Sequence, residues 1–259
     1  MSTDHYAGVA SGWDAAASHV YAPLAEALVQ QISGPLYGRT ILDAGAGTGC
    51  ATTALQARGA TVIAADRSHD MLVHEREGRP PSFVCDIRQL PLVDDSVDAA
   101  AAAFVLSHLD DPGAALAELG RVVRSGGAIV ADTFSATGRS AALGRIDDTT
   151  VDHGFEPPSW YIELEEHFAP AVGTPAALSA LAVDAGLANA EVVEEAVDVG
   201  LSSPDDMVDY RLSMPQFAQW MASLNPTQRS ALRRDAIEAT AEVMTPYRPI
   251  VLFLRAVAP

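Results

Sequence analysis

Short apolar runs alternate with helical patterns through the first half of the chain. The apolar runs predict strands over residues 40–43, 60–65, 82–85, 98–104 and 128–133. Apolar residues spaced three and four positions apart predict helices over residues 48–58, 68–77 and 112–123. Strands that alternate with helices over short connections are typical of a parallel sheet covered on both faces. The pattern therefore predicts an α/β fold.

The pattern changes on both sides of this region. Residues 6–32 predict helix, with Pro23 in the first turn of a second helical piece. Residues 134–173 show no clear period. The remaining patterns predict a helix over 174–185, a strand over 191–199, a helical segment over 204–244 and a last strand over 248–257. We expect a single domain, 1–259, in which residues 134–173 and 201–246 are insertions over the open end of the sheet.

Composition narrows the function classes. With 49% hydrophobic and 19% charged residues among 259, the chain is globular in character. Its net charge is −18 and all 16 basic residues are arginine, which argues against nucleic acid or an anionic membrane as partner. The polar start of the chain is unlike a secretory signal, and no apolar run is long enough to span a bilayer. We expect a cytoplasmic monomer or homodimer that acts on a small molecule.

The two cysteines and seven histidines do not indicate a metal. Cys50 and Cys85 are too few for a disulfide framework or a zinc site. No set of histidine, cysteine and carboxylate residues has metal-ligand spacing. We expect two reduced, partly buried thiols and no metal.

The most informative segment is residues 41–52, Ile-Leu-Asp-Ala-Gly-Ala-Gly-Thr-Gly-Cys-Ala-Thr. It predicts a strand, a turn with three alternating glycines, and a helix, so a ligand can lie against bare backbone. Asp66 ends the second strand, where a carboxylate can accept both hydroxyl protons of a ribose. Asp86 ends the third strand, placed to accept from an adenine amino group while Ile87 packs on the ring. These positions together indicate a nucleoside-containing ligand.

Further motifs follow in the same order. They are Leu-Pro-Leu-x-Asp-x-Ser-x-Asp at residues 90–98 and Glu-Leu-Gly-Arg-Val-Val-Arg-Ser-Gly-Gly at residues 118–127. With the glycine turn, Asp66 and Asp86, they make residues 39–133 resemble the class I S-adenosylmethionine-dependent methyltransferases. The nearest resemblance is to the small-molecule branch (methyltransferase type 11/25-like) that includes the ubiquinone and menaquinone biosynthesis enzymes. Outside this range the resemblance is loose.

The resemblance carries expectations about the whole chain. It implies a Rossmann-like, doubly wound, seven-stranded sheet whose last strand is antiparallel and lies between the fifth and sixth. It implies a helical N-terminal lid, residues 1–34, over a cofactor-binding core, residues 39–133, with helical insertions near the C-terminus. The implied activity is transfer of the methyl group of S-adenosylmethionine to O, N or C of a small metabolite, in natural-product biosynthesis, with S-adenosylhomocysteine as product.

Positions that match the family's motifs supply the candidate site. The resemblance implies that the cofactor is bound by Tyr6, Asp43, Ala44, Gly45, Gly47, Gly49, Asp66, Arg67, Met71, Asp86, Ile87, Phe104 and His108. The glycines would hold its amino-acid end, Tyr6 its carboxylate, and Asp66 its ribose. A histidine can take a proton near neutral pH, which makes His108, His153 and His167 the candidate catalytic residues.

Two other functions stay open at this point. A nicotinamide-dependent oxidoreductase also has a glycine-rich turn, but its fingerprint is Gly-x-Gly-x-x-Gly and the third glycine here comes one position early. The same fold can also serve as a non-methylating cyclase or a cofactor-holding protein, because fold does not fix function.

Overall fold

The computed structural model describes residues 4–74 and 78–259, and within them one sheet of seven strands has the order β3-β2-β1-β4-β5-β7-β6. The strands are β1 (Thr40–Ala44), β2 (Thr61–Asp66), β3 (Ser82–Val84), β4 (Val97–Ala102), β5 (Val123–Phe134), β6 (Ala188–Ala196) and β7 (Ile250–Val257). The first five strands pair in parallel, and β7 lies antiparallel between β5 and β6. This order confirms the predicted Rossmann-like fold class.

Eleven α-helices are present in the described ranges. They are α1 (Ala10–Gln30), α2 (Cys50–Ala57), α3 (His69–Val73), α4 (Pro112–Val122), α5 (Ala141–Asp152), α6 (Ser159–Glu163), α7 (Ala169–Val172), α8 (Pro175–Asp184), α9 (Pro204–Leu212), α10 (Pro215–Ser223) and α11 (Pro226–Ala241). A short 3₁₀ turn covers Leu106–His108, and a π-helical turn joins α6 to α7 over Leu164–Phe168.

A polar cap followed by proline sets the start of four of these helices. The side chains of Asp111, Thr174, Ser203 and Asn225 each accept a hydrogen bond from a backbone N–H in the first turn of α4, α8, α9 and α11. Proline follows at the first helical position, where its missing N–H costs nothing. These pairs make the helix starts readable from the sequence.

The core has two layers because successive strand residues point to opposite faces of the sheet. Ile41, Ala99 and Ala101 pack with α1, α2 and the late helices, whereas Leu42 and Ala100 pack with α4 and α8. All five side chains are fully buried. Both faces are therefore covered. Because β1 to β5 pair in parallel, their carboxyl ends lie along one edge of the sheet.

Several sequence-based boundaries were wrong. Residues 134–173, expected to be irregular, contain α5, α6 and α7; the buried side of α5 includes Thr149 and Thr150, which blurs its apolar period. Pro23 lies inside one continuous helix, α1, instead of starting a second. The segment 204–244 divides into three helices, each beginning at a proline. The predicted helix 68–77 is described as α3 up to Val73, and its residues 75–77 lie outside the described ranges.

Several strand boundaries also differ from the prediction, and β6 covers Ala188–Ala196 instead of 191–199. Strand β5 begins at Val123, before the predicted turn at Gly126, whose φ is +78°. Strand β4 ends at Ala102, two residues before the predicted end at Phe104. The reason for the early end of β4 lies in the pocket described next.

Candidate active site

A pocket lies at the carboxyl edge of the sheet, where β1, β2 and β4 end. Its walls come from the glycine turn after β1, from Asp66 and Arg67 at the end of β2, and from residues 103–105 after β4. Tyr6 and Trp13 line it from the N-terminal side. The pocket encloses about 1020 Å³ of space, part of it open to solvent.

Gly45 and Gly47 shape the turn after β1. Gly45 has φ +78° and Gly47 has φ +53°, the left-handed region that glycine tolerates best. The N–H groups of Gly45 and Ala46 both donate to the Ala65 carbonyl, at 2.8 and 3.0 Å. A Cβ at Gly45 would lie 2.5 Å from Val105 Cγ2. The turn is therefore closed by backbone bonds and has no room for a side chain at Gly45.

Asp66 connects this turn to β2. Its Oδ2 accepts from the Gly47 N–H at 2.8 Å and its Oδ1 from the Ser68 N–H at 2.7 Å. Burial raises the pKa of the Asp66 carboxyl, although both N–H donors oppose the shift. A carboxylate has about four acceptor positions, so two remain for a ligand's hydroxyl groups.

Asp86, Ile87 and Met71 line the same end of the pocket. Ile87 and Met71 are buried, and both give the pocket an apolar wall. Arg88 donates to Asp86 from its side-chain Nε at 2.9 Å and Nη2 at 2.6 Å and from its backbone N–H at 3.0 Å, and it also pairs with Asp110. This pairing is the main reason that the pKa of Asp86 is lowered. The carboxylate expected to meet an adenine amino group is thus already held by an arginine.

Tyr6 and His108 face each other across the pocket. The Tyr6 hydroxyl lies 3.5 Å from His108 Nε2, and the two rings meet edge to face. Burial lowers the pKa of His108 to about 4, and the positive charge of Arg67 acts in the same direction. Burial, with the nearby Asp66, raises the pKa of Tyr6. Both groups are therefore neutral at pH 7, with the phenol able to donate to the imidazole.

Residues 4–14, which we call the cover segment, lie over the pocket and are held by a few contacts. The Gly8 N–H donates to Asp70 Oδ2 at 3.0 Å. Asp14 lies 3.4 Å from His74 Nε2. The His5 ring stacks on Trp160 of α6, with ring centroids 4.6 Å apart. The cover segment thus bridges from α3 to α6 across the opening.

Phe104 makes an unusual turn at the end of β4. Its φ is +50°, a conformation that costs a bulky residue about 1–3 kcal/mol. Its N–H leaves the sheet and donates to Asp132 Oδ1 at 2.7 Å. Its ring packs on Phe134 at 4.5 Å and edge to face on Tyr21 at 5.1 Å. The turn explains why β4 ends at Ala102.

The structure brings together ten of the residues predicted for the site. Those lining the pocket are Tyr6, Gly45, Gly47, Asp66, Arg67, Met71, Asp86, Ile87, Phe104 and His108. Asp43 and Ala44 lie beneath the turn, fully buried, with Asp43 Oδ2 accepting from Thr52 Oγ1 at 2.6 Å. Gly49, with φ +104°, directly precedes α2, on the side of the turn where Arg79 lies.

The other two candidate catalytic histidines lie elsewhere. His153, which directly follows α5, has its Nε2 3.0 Å from Asp235 Oδ2 of α11. His167 is exposed on the π-helical turn. Neither lines the pocket. His108 is the candidate that shares a cavity with the glycine turn, because the 3₁₀ turn follows β4 directly.

Sequence reasoning missed several residues of the pocket. Trp13, Tyr21, Ala25 and Cys50 line it from α1 and α2. Their apolar spacing indicates buried helix faces, so nothing in the pattern distinguishes pocket from core. Arg79 does not line the pocket, but it supports the turn by donating to the Gly47 carbonyl at 3.0 Å, and it was also missed.

Residues 42–131 match the family model described as a methyltransferase domain. These residues form a methyltransferase domain. The domain is similar to the demethylmenaquinone methyltransferase of Mycolicibacterium paratuberculosis, with 41% identity over 98 residues. That alignment covers 38% of this chain and 43% of the relative, so the chain spans less than half of that protein's length.

Solved structures share the fold of the methyltransferase domain. Phosphoethanolamine N-methyltransferase 2 of Haemonchus contortus, in complex with S-adenosyl-L-methionine, has a TM-score of 0.58 and 17% identity, covering 91% of this chain and 52% of that one. Geranyl diphosphate C-methyltransferase of Streptomyces coelicolor A3(2) has a TM-score of 0.53 and 16% identity, covering 92% and 79%. With the strand order above, the domain is of class I, as the sequence motifs predicted.

S-adenosylmethionine is the cofactor of this class of domain, and the pocket fits it. The bare backbone at Gly47 leaves room for a ligand, because a Cβ there would meet only Met71 Cε, at 3.6 Å, and Asp66 keeps free acceptor positions. Ile87 and Met71 supply an apolar wall for a purine ring. Within the described residues, none of the helices has the length and apolar character needed to cross a bilayer.

Proposed function

We propose that this chain transfers the methyl group of S-adenosylmethionine to an O, N or C atom of a small metabolite. The observation that carries the proposal is one cavity lined by Gly45, Gly47, Asp66, Ile87 and His108. The first four suit a nucleoside at the tips of β1 to β3, and His108 stands beside them with a neutral imidazole. The match to the methyltransferase domain supports the same proposal.

Methyl transfer requires the protein mainly to align the acceptor with the methyl group and to exclude water. The cofactor supplies a methyl group on a positively charged sulfur. Tyr6 and the rest of the cover segment shield the pocket, while Phe104 and Val105 bound it at the end of β4. With a pKa of about 4, His108 is a weak base at pH 7, so we assign it the role of orienting the acceptor by a hydrogen bond.

The charge distribution of the pocket favours an uncharged acceptor. Its charged lining residues are Asp66, Arg67 and Asp86, all at the ends of β2 and β3. The opposite side is lined by Trp13, Tyr21, Ala25, Cys50 and Phe104, which carry no charge. An anionic group there would lose its hydration without a partner. The relative named for demethylmenaquinone supports a small-molecule acceptor of this kind.

The first test is calorimetric titration of the whole chain with S-adenosylmethionine, and with NADH as the competing nucleotide. We expect binding of S-adenosylmethionine in the micromolar range and none of NADH. Asp66→Ala should abolish binding, whereas Asp235→Ala, an ion-pair partner of His153 outside the pocket, should bind as the wild type does. Tight binding of NADH without binding of S-adenosylmethionine would contradict the proposal and would indicate an oxidoreductase.

The second test identifies the reaction. Neutral aromatic and polyketide-like compounds are incubated with the cofactor, and products are analysed by mass spectrometry. A gain of one methyl group supports the proposal, and rearrangement without a change of mass indicates a cyclase. A preference for carboxylate or phosphate acceptors would contradict the proposed polarity of the pocket. The natural-product role, the cytoplasmic location, the oligomeric state and the division into lid, core and insertions stay predictions.

A further inference from the structure

Asp132 is a buried acid with no place in the cofactor contacts described above. It lies near the end of β5, with its side chain fully buried. Its Oδ1 accepts the Phe104 N–H at 2.7 Å, and its Oδ2 has no hydrogen-bond partner among the described residues. It does not line the pocket, but the residue that it holds does.

The Phe104 turn needs such a support. The last parallel pair of β4 and β5 is Ala102 with Ala131, so the Phe104 N–H has left the sheet. A buried N–H without an acceptor is destabilising, and the positive φ of Phe104 adds strain. The carboxyl of the next residue of β5, Asp132, satisfies that N–H.

We propose that Asp132 is a positioning residue: its Oδ1 holds the left-handed turn at Phe104 and thereby sets the shape of the pocket where β4 ends. Ala103, Phe104 and Val105 all line the pocket, and Val105 also packs against Gly45. Loss of the hydrogen bond between Phe104 and Asp132 would therefore also change the packing of Val105 on the glycine turn. The inference rests on the proposed function for its consequence in binding, but its structural part does not.

The hydrogen-bond acceptor matters here, not a charge. Burial raises the pKa of Asp132 well above its ordinary value, and the N–H donors of Phe104 and Asp132 itself oppose this only in part. Burial thus favours the neutral carboxyl, in which a carbonyl oxygen faces Phe104 and a hydroxyl occupies the unpartnered position. Asparagine has the same shape, the same carbonyl acceptor and a donor in place of the hydroxyl.

The experiment compares Asp132→Asn with Asp132→Leu in the full chain. S-adenosylhomocysteine is the probe, titrated by calorimetry, and thermal unfolding checks that each variant is folded. Asp132→Asn should keep the wild-type affinity, and Asp132→Leu should weaken it by about tenfold because the Phe104 N–H is left unsatisfied. Equal loss in both variants would show that the charge matters and would overturn the proposal. Wild-type affinity in the leucine variant would also overturn it.

A second background isolates the turn from general destabilisation. Glycine adopts positive φ without strain, so in Phe104→Gly the turn forms more easily without Asp132. Asp132→Leu should then cost less affinity in the Phe104→Gly background than in the wild type. The same loss in both backgrounds would mean that Asp132 acts by another route.

Hydrogen exchange gives a readout that needs no ligand. The Phe104 N–H should be protected in the wild type and in Asp132→Asn, and should exchange faster in Asp132→Leu, while the Ala101 N–H within β4 stays protected. If the wild type binds no S-adenosylhomocysteine, the proposed function fails, yet this measurement still decides the role of Asp132. Unchanged protection in the leucine variant would refute it.

Discussion

The two sides of the pocket are held together in different ways. The strand-tip wall, residues 44–47, 65–67 and 86–87, is joined mainly by bonds to backbone groups, such as Gly45 N–H to Ala65 and Gly47 N–H to Asp66. The cover segment, residues 4–14, is held by Gly8 N–H to Asp70, by Asp14 with His74, and by the stack of His5 on Trp160. The wall also stands on a buried sheet, whereas His69 and Asp70, beneath the cover, are exposed.

This difference predicts that the two sides of the pocket have different roles in binding. Backbone bonds on a sheet fix atoms closely and allow little motion. Single side-chain contacts at half-buried or exposed positions are each worth little and open readily. We therefore expect the strand-tip wall to determine cofactor affinity and the cover segment to modulate access.

The largest expected effect is that of Gly45→Ala. Alanine at φ +78° is strained, and its Cβ would lie 2.5 Å from Val105. Together these effects should cost on the order of 2–5 kcal/mol, shared between folding and binding. We expect no measurable binding of S-adenosylmethionine by calorimetry.

Two other glycines serve as controls. Gly47→Ala should do less harm, because its Cβ would meet only Met71 Cε, at 3.6 Å. Gly144→Ala, inside α5 with no atom within 4 Å, should leave affinity unchanged. Strong binding by Gly45→Ala would mean that the wall is more adaptable than its bonds indicate.

The next effect in size is that of Asp66→Asn. Both carboxylate oxygens accept backbone N–H groups, so one of these would face the asparagine NH₂ instead. Leaving one buried donor unsatisfied costs about 1–3 kcal/mol, or roughly fivefold to 150-fold in affinity. Calorimetry of the variant checks this. An unchanged affinity would show that the bonds of Asp66 do not set the wall.

The same difference explains what the sequence could predict. The glycine turn, Asp66 and Ile87 were all readable, because local chain geometry at a strand end requires those residue types within a few positions. The contact of His5 with Trp160 and the hydrogen bond of Phe104 with Asp132 join residues far apart in the chain. Such contacts depend on packing that no local pattern encodes. An acid inside the apolar strand 128–133 was the available signal for Asp132, and it was missed.

The pocket residues on α1 were unreadable for a related reason. Trp13 and Tyr21 have the spacing of a buried helix face, and Tyr21 does pack on Phe104 and Phe134 in the core. Periodicity tells which side of a helix is buried but not whether it meets a cavity. His153 is an error in the other direction. It was expected at the site because it lies in a predicted insertion, but it is hydrogen-bonded to Asp235 outside the pocket.

His108 lies between the two sides and gives a pH prediction. Its pKa of about 4 means that the folded chain keeps the ring neutral until well below pH 6. The contribution of His108 to the methylation rate should therefore be constant from pH 6 to 9, and the rate should fall only as the pH approaches 4. His108→Gln, which keeps an uncharged hydrogen-bonding group, should lower the methylation rate by about tenfold or less. A change of the wild-type rate with an apparent pKa near 6.5 that is absent from His108→Gln would contradict the neutral state assigned to His108.

The same shift has a consequence for stability. Unfolded histidine has a pKa near 6.5, so below that pH the unfolded chain binds a proton that the folded chain does not. The wild type should therefore lose stability relative to His108→Gln as pH falls from 6.5 toward 4. Urea unfolding of both proteins across this range measures it. If the difference in the free energy of unfolding between the two proteins is constant with pH, the pKa of His108 is not lowered and the ring is more solvated than the structure shows.

The smallest expected effect is that of Trp160→Ala. Loss of the stack on His5 removes one contact of the cover segment, worth about 0.5–1.5 kcal/mol, while the bonds of Gly8 and Tyr6 remain. We expect the affinity for S-adenosylmethionine to fall only about twofold to tenfold, with faster dissociation in stopped-flow measurements and little change in the association rate. Trp160→Phe keeps an aromatic face for His5 and should stay close to the wild type. A loss as large as that of Gly45→Ala would mean that the cover segment is part of the binding wall itself, and the distinction between the two sides would fall.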